Sequence, residues 1–299
     1  MRILLFGKNG QVGWELQRAL APLGDLVALD FDSAGPLSAD FSKPESLAAT
    51  VRAVRPQIIV NAAAHTAVDK CESEPGLARA LNAASPAVLA REASALGAWL
   101  LHYSTDYVFD GSGSTARSED APTGPLSVYG RTKLEGEDAI RTSGCLHLIL
   151  RTSWVYAARG GNFAKTMLRL AAERDRLTVI DDQIGAPTGA ELLADISAHV
   201  LRSALARSEL AGTYHAVAQG ETSWYGYACH VIEHARAAGA PIKVKPEAIE
   251  PVLTSAFPTP AERPRNSRLN SKKLQHTFGL ELPAWQPGVE RMLIEVLGR

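Results

Sequence analysis

An excess of either charge is missing from this 299-residue chain: 31 Lys and Arg stand against 32 Asp and Glu, a net charge of −1 with His neutral. That balance excludes the basic footprint of a nucleic-acid binder, so an anionic ligand must be met by a local site. Long apolar runs are also missing. Residues 58–64 and 99–101 are of strand length, far short of a membrane span. The apolar run after Met1 stops at Gly7, too short for a signal-peptide core. Cysteine is scarce: Cys71, Cys145 and Cys229 are odd in number and widely spaced, which reads as reduced thiols in a cytoplasmic protein. With 24 Gly and 17 Pro, the chain is neither collagen-like nor of low complexity. What remains, 46% hydrophobic and 21% charged, is ordinary globular usage, enough for one large domain or two moderate ones.

The first half alternates short apolar runs with helical periodicity. Strands are predicted at residues 2–6, 26–29, 58–60, 99–104 and 146–150. Helices are predicted at 11–23, where Val12, Leu16 and Leu20 form one stripe, and at 75–96 with a break near Ser85-Pro86. Another covers 128–143, and one opens on a capping box, Ser42-Lys43-Pro44-Glu45, and runs to about Val54. This alternation implies an α/β fold, a Rossmann-type doubly wound parallel sheet with helices on both faces. Beyond about residue 155 the pattern loosens into a smaller, mixed α/β substrate-binding part. It has helices at 162–174, 190–206, 223–239 and 288–297 and strands at 177–180, 212–217 and 242–244. A long loop is predicted over 246–264, which holds five prolines. The division expected is a dinucleotide-binding domain over 1–154 and a mainly substrate-binding domain over 155–299, with late strands free to rejoin the first sheet.

Two local patterns carry chemistry. Gly7-Lys8-Asn9-Gly10-Gln11-Val12-Gly13 links the first strand to the first helix. Gly7 permits the tight turn, Gly10 a close backbone approach to a pyrophosphate, and Gly13 close helix–sheet packing, while the helix N-terminus faces the phosphates. Its GxxGxxG spacing is the looser relative of the standard fingerprint. Asp30, at the end of the second strand, stands near the place of an acid on the adenosine ribose, and Asp32 competes for that role; NADH and NADPH both remain open. The second pattern is Tyr129-x-x-x-Lys133, whose i and i+4 side chains share a helix face. A reduced ketone needs a proton, and a free phenol, pKa about 10, releases one slowly near neutrality. Lowering that pKa by about 3 units takes roughly 4 kcal/mol, within reach of a nearby ammonium in a partly dry cleft. Thr105, ending the 99–104 strand, is placed to donate to the carbonyl oxygen.

With Asn61-Ala62-Ala63-Ala64 and Ser104-Thr105-Asp106-Tyr107-Val108-Phe109, these motifs resemble the extended short-chain dehydrogenase/reductases. The likeness runs almost end to end through Ala64-His65-Thr66-Ala67-Val68-Asp69, Arg151-Thr152-Ser153-Trp154-Val155-Tyr156, Gly185-Ala186-Pro187-Thr188 and Arg263-Pro264-x-Asn266-Ser267-Arg268-Leu269. Within that family it is closest to the branch that reduces the C4 ketone of dTDP-4-dehydro-L-rhamnose with NADPH or NADH. The resemblance implies Tyr129 as proton donor, Lys133 as the group that lowers its pKa and binds the nicotinamide ribose, and Thr105 as partner of the carbonyl. It places the cofactor over Gly10-Gln11-Val12, with Asp40 and Phe41 near the adenine, Ala64, His65 and Thr66 near the ribose, and Tyr103 at its strand end. Asp106, Trp154, Gln183 and Arg263 are implied on the nucleotide-sugar substrate. It also implies a homodimer and Mg²⁺, with carboxylates at Glu15, Glu191 and Glu295.

Read from the residues alone, Phe41 fits core packing equally, Trp154 follows a strand and has core packing as its alternative, His65 fits a hydrogen-bonded loop, Arg263 an exposed charge, and the three Glu the solvated faces of helices. A neighbouring epimerase or dehydratase is a second reading, weakened because Tyr107 stands where a dehydratase of this family needs a carboxylate. A non-catalytic, reductase-like regulatory subunit is a third; such a subunit has no need of Tyr129 or Lys133, yet both are present.

Overall fold

The computed structural model describes residues 1–298. The chain runs β1 (Arg2–Phe6), α1 (Gln11–Leu20), β2 (Asp25–Leu29), α2 (Pro44–Val54), β3 (Ile58–Asn61), α3 (Val68–Ser73), α4 (Pro75–Arg79), a π turn (Ala80–Ala84) and α5 (Ser85–Leu96). It continues through β4 (Trp99–Thr105), α6 (Val128–Thr142), β5 (Leu146–Thr152), β6 (Val155–Tyr156), α7 (Phe163–Glu173), β7 (Leu177–Ile180), β8 (Ile184–Gly185), β9 (Thr188–Gly189) and α8 (Ala190–Ala204). It closes with β10 (Gly212–His215), β11 (Thr222–Ser223), α9 (Trp224–Ala237), β12 (Ile249–Val252), α10 (Lys272–Phe278) and α11 (Trp285–Leu297).

Six parallel strands form the central sheet in the order β10-β5-β4-β3-β1-β2. Strand side chains alternate between faces, and both faces are apolar here. Ile3, Leu5, Ile58, Val60, Leu101 and Leu148 point to one side, where Leu16 and Leu20 of α1 and Leu193, Ile196 and Val200 of α8 cover them. Leu4, Phe6, Ile59, Leu100 and Ile149 point to the other, beneath Leu47 and Val51 of α2, Val88 and Leu89 of α5 and Ile140 of α6. Each fully buried Leu or Ile contributes roughly 1.5–3 kcal/mol, so the two layers hold the sheet as a rigid platform. A second, smaller body packs α7, α9 and α11 around Tyr156, Tyr227, Trp285 and the β7–β12 pair. The strand order reverses between β1 and β3, the switch point at which this class of sheet binds ligands.

Several expectations are corrected. The helix expected to reach residue 23 stops at Leu20, and residues Ala21–Leu23, with Pro22 inside, tighten into a 3₁₀ turn. Ser42 does not cap α2; the cap position is Lys43 without a side-chain bond, and the Ser42 hydroxyl donates to Asp40. The helix over 75–96 is not broken at Pro86 but passes through a π turn just before it. Residues 242–244 form no strand. The strand lies at Ile249–Val252, inside the predicted loop, and Pro251 sits in a two-stranded pair that leaves it on an edge. The last helix begins at Trp285, and α3 and α10 were not foreseen. As allowed, β10 rejoins the first sheet beside β5, and α8 packs with α1.

Candidate active site

The glycine turn is tight because its residues leave no room for side chains. Gly7 has φ +84°, and a Cβ there would meet Ala63 N at 2.7 Å; a Cβ on Gly13 would meet Gly7 O at 1.9 Å. The first turn of α1 has no side-chain cap and no acidic residue, so its N–H groups remain available to an anion. One groove beside it is lined by Gly7, Gly10, Asp30, Phe31, Asp40, Phe41 and residues 62–64. The sequence candidates for the adenosine end thus converge. Asp30 accepts from Asn9 N–H at 2.9 Å and Phe31 N–H at 2.8 Å, which aims the end of β2 into the groove. Phe41 also packs edge-on against Phe6, so its core reading holds alongside. The Gln11 side-chain oxygen is engaged by Asn162, which leaves its main chain for a phosphate. Val12 packs at the edge of the core. The His65 ring pairs with Glu74 at 3.1 Å and its main chain is clamped by Asn82, as a hydrogen-bonded loop residue; Thr66 beside it is exposed. These residues fit a dinucleotide: a side-chain-free cradle, an uncapped helix end and an acid at the β2 terminus.

The reacting end lies at the close of β4. Ser127 caps α6 by accepting from Gly130 N–H, and Glu72 of α3 accepts from Val128 N–H at 2.7 Å. A Cβ at Gly130 would meet Tyr107 O at 2.2 Å, so glycine lets α6 approach the β4 end closely and brings Tyr129 to Thr105. The Tyr129 phenol is hydrogen-bonded with Thr105 and stands edge-on to the Tyr107 ring at 5.5 Å. Burial, and secondarily the charge of Asp106, raise its pKa above the ordinary phenol range, while the Thr105 bond opposes them. Thr105 Oγ1 donates to Asp106 Oδ1 at 3.1 Å and accepts from Tyr107 N–H. The other Asp106 oxygen is buried without a well-formed hydrogen bond of its own, and burial pushes this carboxyl up to about 6 although the Ser267 and Thr105 hydroxyls help hold its charge. A polar substrate group is the partner that such an atom lacks.

Lys133 differs from expectation. Its amine donates to the Tyr103 carbonyl at 2.6 Å and lies 3.2 Å from His102 Nε2, rather than bonding the phenol. Burial pushes it down to about 8, with Glu137 pulling the other way. The Tyr103 hydroxyl is likewise committed, to Ser197 at 2.5 Å, so its strand end offers Lys133 the main chain. Beneath them Glu137 takes a bidentate contact from Arg151 at 2.9 and 2.7 Å and a further one from Arg141, which locks α6 to β5.

On the substrate side, Trp154 (φ +50°) stacks on Trp224 with centroids 3.6 Å apart, over Gly185, where no Cβ would fit. Trp224 Nε1 donates to Gln183, whose amide donates to Thr254. Arg263 forms a fork on Asp69 at 3.2 and 2.7 Å and reaches Tyr107. Gln183, Trp224 and Arg263 line one apolar cleft with Phe163, Val179 and Phe257. Sequence reasoning missed Trp224, Asp69, Asn61, His102 and Asn82. Asn61 and Asp69 lie in the quoted motifs without a role of their own, no spacing marks His102 or Asn82, and Trp224 was hidden at the start of an amphipathic helix.

Glu15, Glu191 and Glu295 do reach one cavity, beside Tyr156 and Trp285. Burial and the neighbouring charges of Glu295 and Glu15 raise the Glu191 pKa, and arginines compensate the three: Glu15 pairs with Arg18 at 3.7 Å, and Glu191 and Glu295 with Arg291 at 3.5 and 3.8 Å. Among the described residues no three His, Cys, Asp or Glu are grouped to hold a metal. The trio therefore does not fit Mg²⁺ within one chain. Nor is any helix of the described residues long and apolar enough to cross a membrane. All three cysteines are free.

A dinucleotide cradle and a proton donor that open on one margin of a doubly wound sheet define a class, the Rossmann-type oxidoreductases. Comparison narrows it: residues 1–297 match the family model of the RmlD substrate binding domain, and the chain belongs to that family. It is similar to the dTDP-4-dehydrorhamnose reductase of Escherichia coli K12, 60% identical over 99% of this chain and 98% of the relative. Among solved structures, the dTDP-4-dehydrorhamnose reductase of Clostridium acetobutylicum superposes with TM-score 0.88 at 35% identity, covering 100% of both chains. That of Bacillus anthracis, in complex with NADP, gives TM-score 0.86 at 34% identity, covering 98% of this chain and 99% of the other.

Proposed function

We propose that the protein reduces the C4 ketone of dTDP-4-dehydro-L-rhamnose to the alcohol, giving dTDP-L-rhamnose, with NADPH or NADH as donor. The observation that carries this reading is the meeting of Thr105, Tyr129 and Lys133 at the end of β4, beside the glycine-turn groove. Similarity to the Escherichia coli reductase supplies the sugar. When bound, the nicotinamide nucleotide supplies the hydride.

The chain's own residues do the rest. Main-chain N–H groups of Gln11, Val12 and Gly13 hold the diphosphate, the Gly10 N–H being spent on the Gly7 carbonyl within the turn. Asp30, Asp40 and Phe41 border the adenosine, Ala64, His65 and Thr66 the neighbouring ribose, and Lys133 binds the nicotinamide ribose. Thr105 orients the carbonyl oxygen. Tyr129, kept protonated by burial, gives its proton to that oxygen as charge develops there. Asp106 takes a sugar hydroxyl, the stacked Trp154–Trp224 pair offers an apolar face to the hexose, and Gln183 and Arg263 meet the nucleotide diphosphate, where an Arg fork suits the anion. Residues 1–154 with β10 and α8 form the dinucleotide side, and most of 155–299 the substrate side. A reduced cytoplasmic setting and a homodimer complete the reading.

The test is purified protein with NADPH or NADH and dTDP-4-dehydro-L-rhamnose, with absorbance followed and the product sugar identified. One nucleotide oxidised per sugar reduced is expected. A transformed sugar with no net nucleotide oxidation would place the protein with the epimerases and dehydratases instead.

A further inference from the structure

Behind Lys133 lies a chain of buried polar side chains that the roles above leave unused. Asn61 ends β3 and His102 lies in β4; they are 1% and 0% exposed. Asn61 Oδ1 accepts from Ala63 N–H at 3.1 Å, which fixes which end of the amide is oxygen. Its Nδ2 therefore donates to His102 Nδ1, 3.0 Å away. An imidazole nitrogen that accepts carries no proton, so the single hydrogen of the neutral ring sits on Nε2. That hydrogen points at Lys133 Nζ, 3.2 Å away. A donor aimed at Nζ needs a lone pair there, and an ammonium has none. The neutral amine satisfies every contact: it accepts from Nε2 and donates to the Tyr103 carbonyl. The reverse tautomer would turn the Asn61 amide round and set its NH₂ against Ala63 N–H, and an imidazolium meets the same clash.

The chain ends at a main-chain N–H, so it does not lead protons in from solvent. Its effect falls on the charge of Lys133. The charged and titratable groups around that amine are few. Glu137 on α6 favours the ammonium but is itself held by Arg151 from β5 and Arg141 from α6. Tyr129 lies one turn earlier on α6, and Asp106 follows Thr105 at the end of β4.

We propose that Asn61 and His102 are positioning residues that keep the Lys133 amine uncharged at mildly alkaline pH until a dinucleotide enters, so that nucleotide binding there is coupled to uptake of a solvent proton at Nζ. This rests on the dinucleotide reading above. A dinucleotide brings negative charge and ribose oxygens that accept hydrogen bonds, both of which favour the ammonium. Proton uptake measures the coupling directly, without the sugar and without turnover.

NADPH and NADH are titrated into the purified protein by calorimetry at mildly alkaline pH, in two buffers of different ionisation enthalpy. The wild type is expected to show a buffer-dependent enthalpy equal to uptake of a substantial fraction of a proton. Asn61→Asp presents a carboxylate to Nδ1–H, frees Nε2 to accept, and charges Lys133 beforehand; uptake is expected to vanish. His102→Gln offers the ammonium a carbonyl in place of an N–H and carries the same expectation if Asn61→Asp fails to fold. Lys133→Met, with no amine to protonate, must also abolish uptake. A purely structural role for the pair would weaken binding in these variants but leave uptake at the wild-type value, and that result overturns the proposal. So does a wild type whose binding enthalpy is independent of buffer, or uptake that survives in Lys133→Met. Failure of either nucleotide to bind the wild type would instead remove the dinucleotide reading itself, and this inference with it.

Discussion

Tyr129 is an acid held in its protonated form chiefly by burial, against the opposing pull of its hydrogen bond with Thr105. Tyr129→Phe keeps the ring and its contact with Tyr107 but loses the proton. We expect kcat to fall by about 10²–10⁴, the usual worth of general acid catalysis, with the Kd for NADPH unchanged within twofold. Steady-state kinetics and fluorescence titration check the two halves; an undiminished kcat would require a different acid. Arg263 acts differently. Its fork on Asp69 is partly exposed, so it is free to exchange partners for a diphosphate. Arg263→Lys loses the bidentate geometry and is expected to raise the sugar-nucleotide KM by roughly tenfold, about 1.4 kcal/mol, while kcat stays within threefold. A changed kcat with an unchanged KM would move Arg263 from binding to chemistry. At this scale the sequence was readable where a role depends on neighbours in the chain. Gly7, Gly10 and Gly13 announce a turn, and Tyr129 and Lys133 share a helix face by spacing alone. His102 and Asn61 were unreadable because their partnership spans 41 residues and exists only once β3 and β4 lie side by side.

The elements that carry these residues are joined by a few buried polar ties. The π turn at Ala80–Ala84 swings Asn82 inward, where its amide donates to the His65 carbonyl and to Thr132 of α6. One side chain thereby links the loop after β3 to the helix that bears Tyr129. On the other flank of α6, Glu137 is fully buried between Arg151 and Arg141. Glu137→Leu leaves Arg151 buried and uncompensated, and is expected to lower unfolding free energy by about 3–5 kcal/mol. Urea denaturation measures this, and a loss below about 1 kcal/mol would show that Arg151 finds another partner. Element prediction succeeded for the strands buried on both faces, because a continuous apolar run such as residues 58–60 has no other stable place. It failed for β12, where Pro246 and Pro251 read as loop residues. A two-stranded pair tolerates proline where no inner ladder bond is asked of it. It failed too for α3, six residues long and too short for periodicity to register.

Across the whole molecule, stability depends on histidines that the fold keeps neutral. Burial holds His102 well below the ordinary imidazole value and pushes His215 down to about 3. Below the unfolded value of about 6.5 the unfolded chain binds protons that the native state refuses, so stability falls as pH falls. The lowered carboxyls of Glu137, Glu92 and Asp69 act in the same direction only further down, below the unfolded carboxyl range of about 4–4.5. Asp106, raised to about 6, acts in the opposite one, since the native state holds its proton longer than the unfolded chain does. The sum predicts a lower Tm at pH 5 than at pH 7, and His215→Phe should flatten that slope. Scanning calorimetry decides it, and a Tm that holds or climbs on acidification would reverse the balance. The placement of β10 has a consequence for how the molecule comes into being. As the ribosome extrudes the chain, five strands are complete once Thr152 has appeared, yet the outer margin of β5 has no neighbour until residues 212–215 follow. A nascent chain stalled between those points would carry bare amides and carbonyls, a template for sticking to other chains. Chaperone engagement should therefore peak over that interval of synthesis.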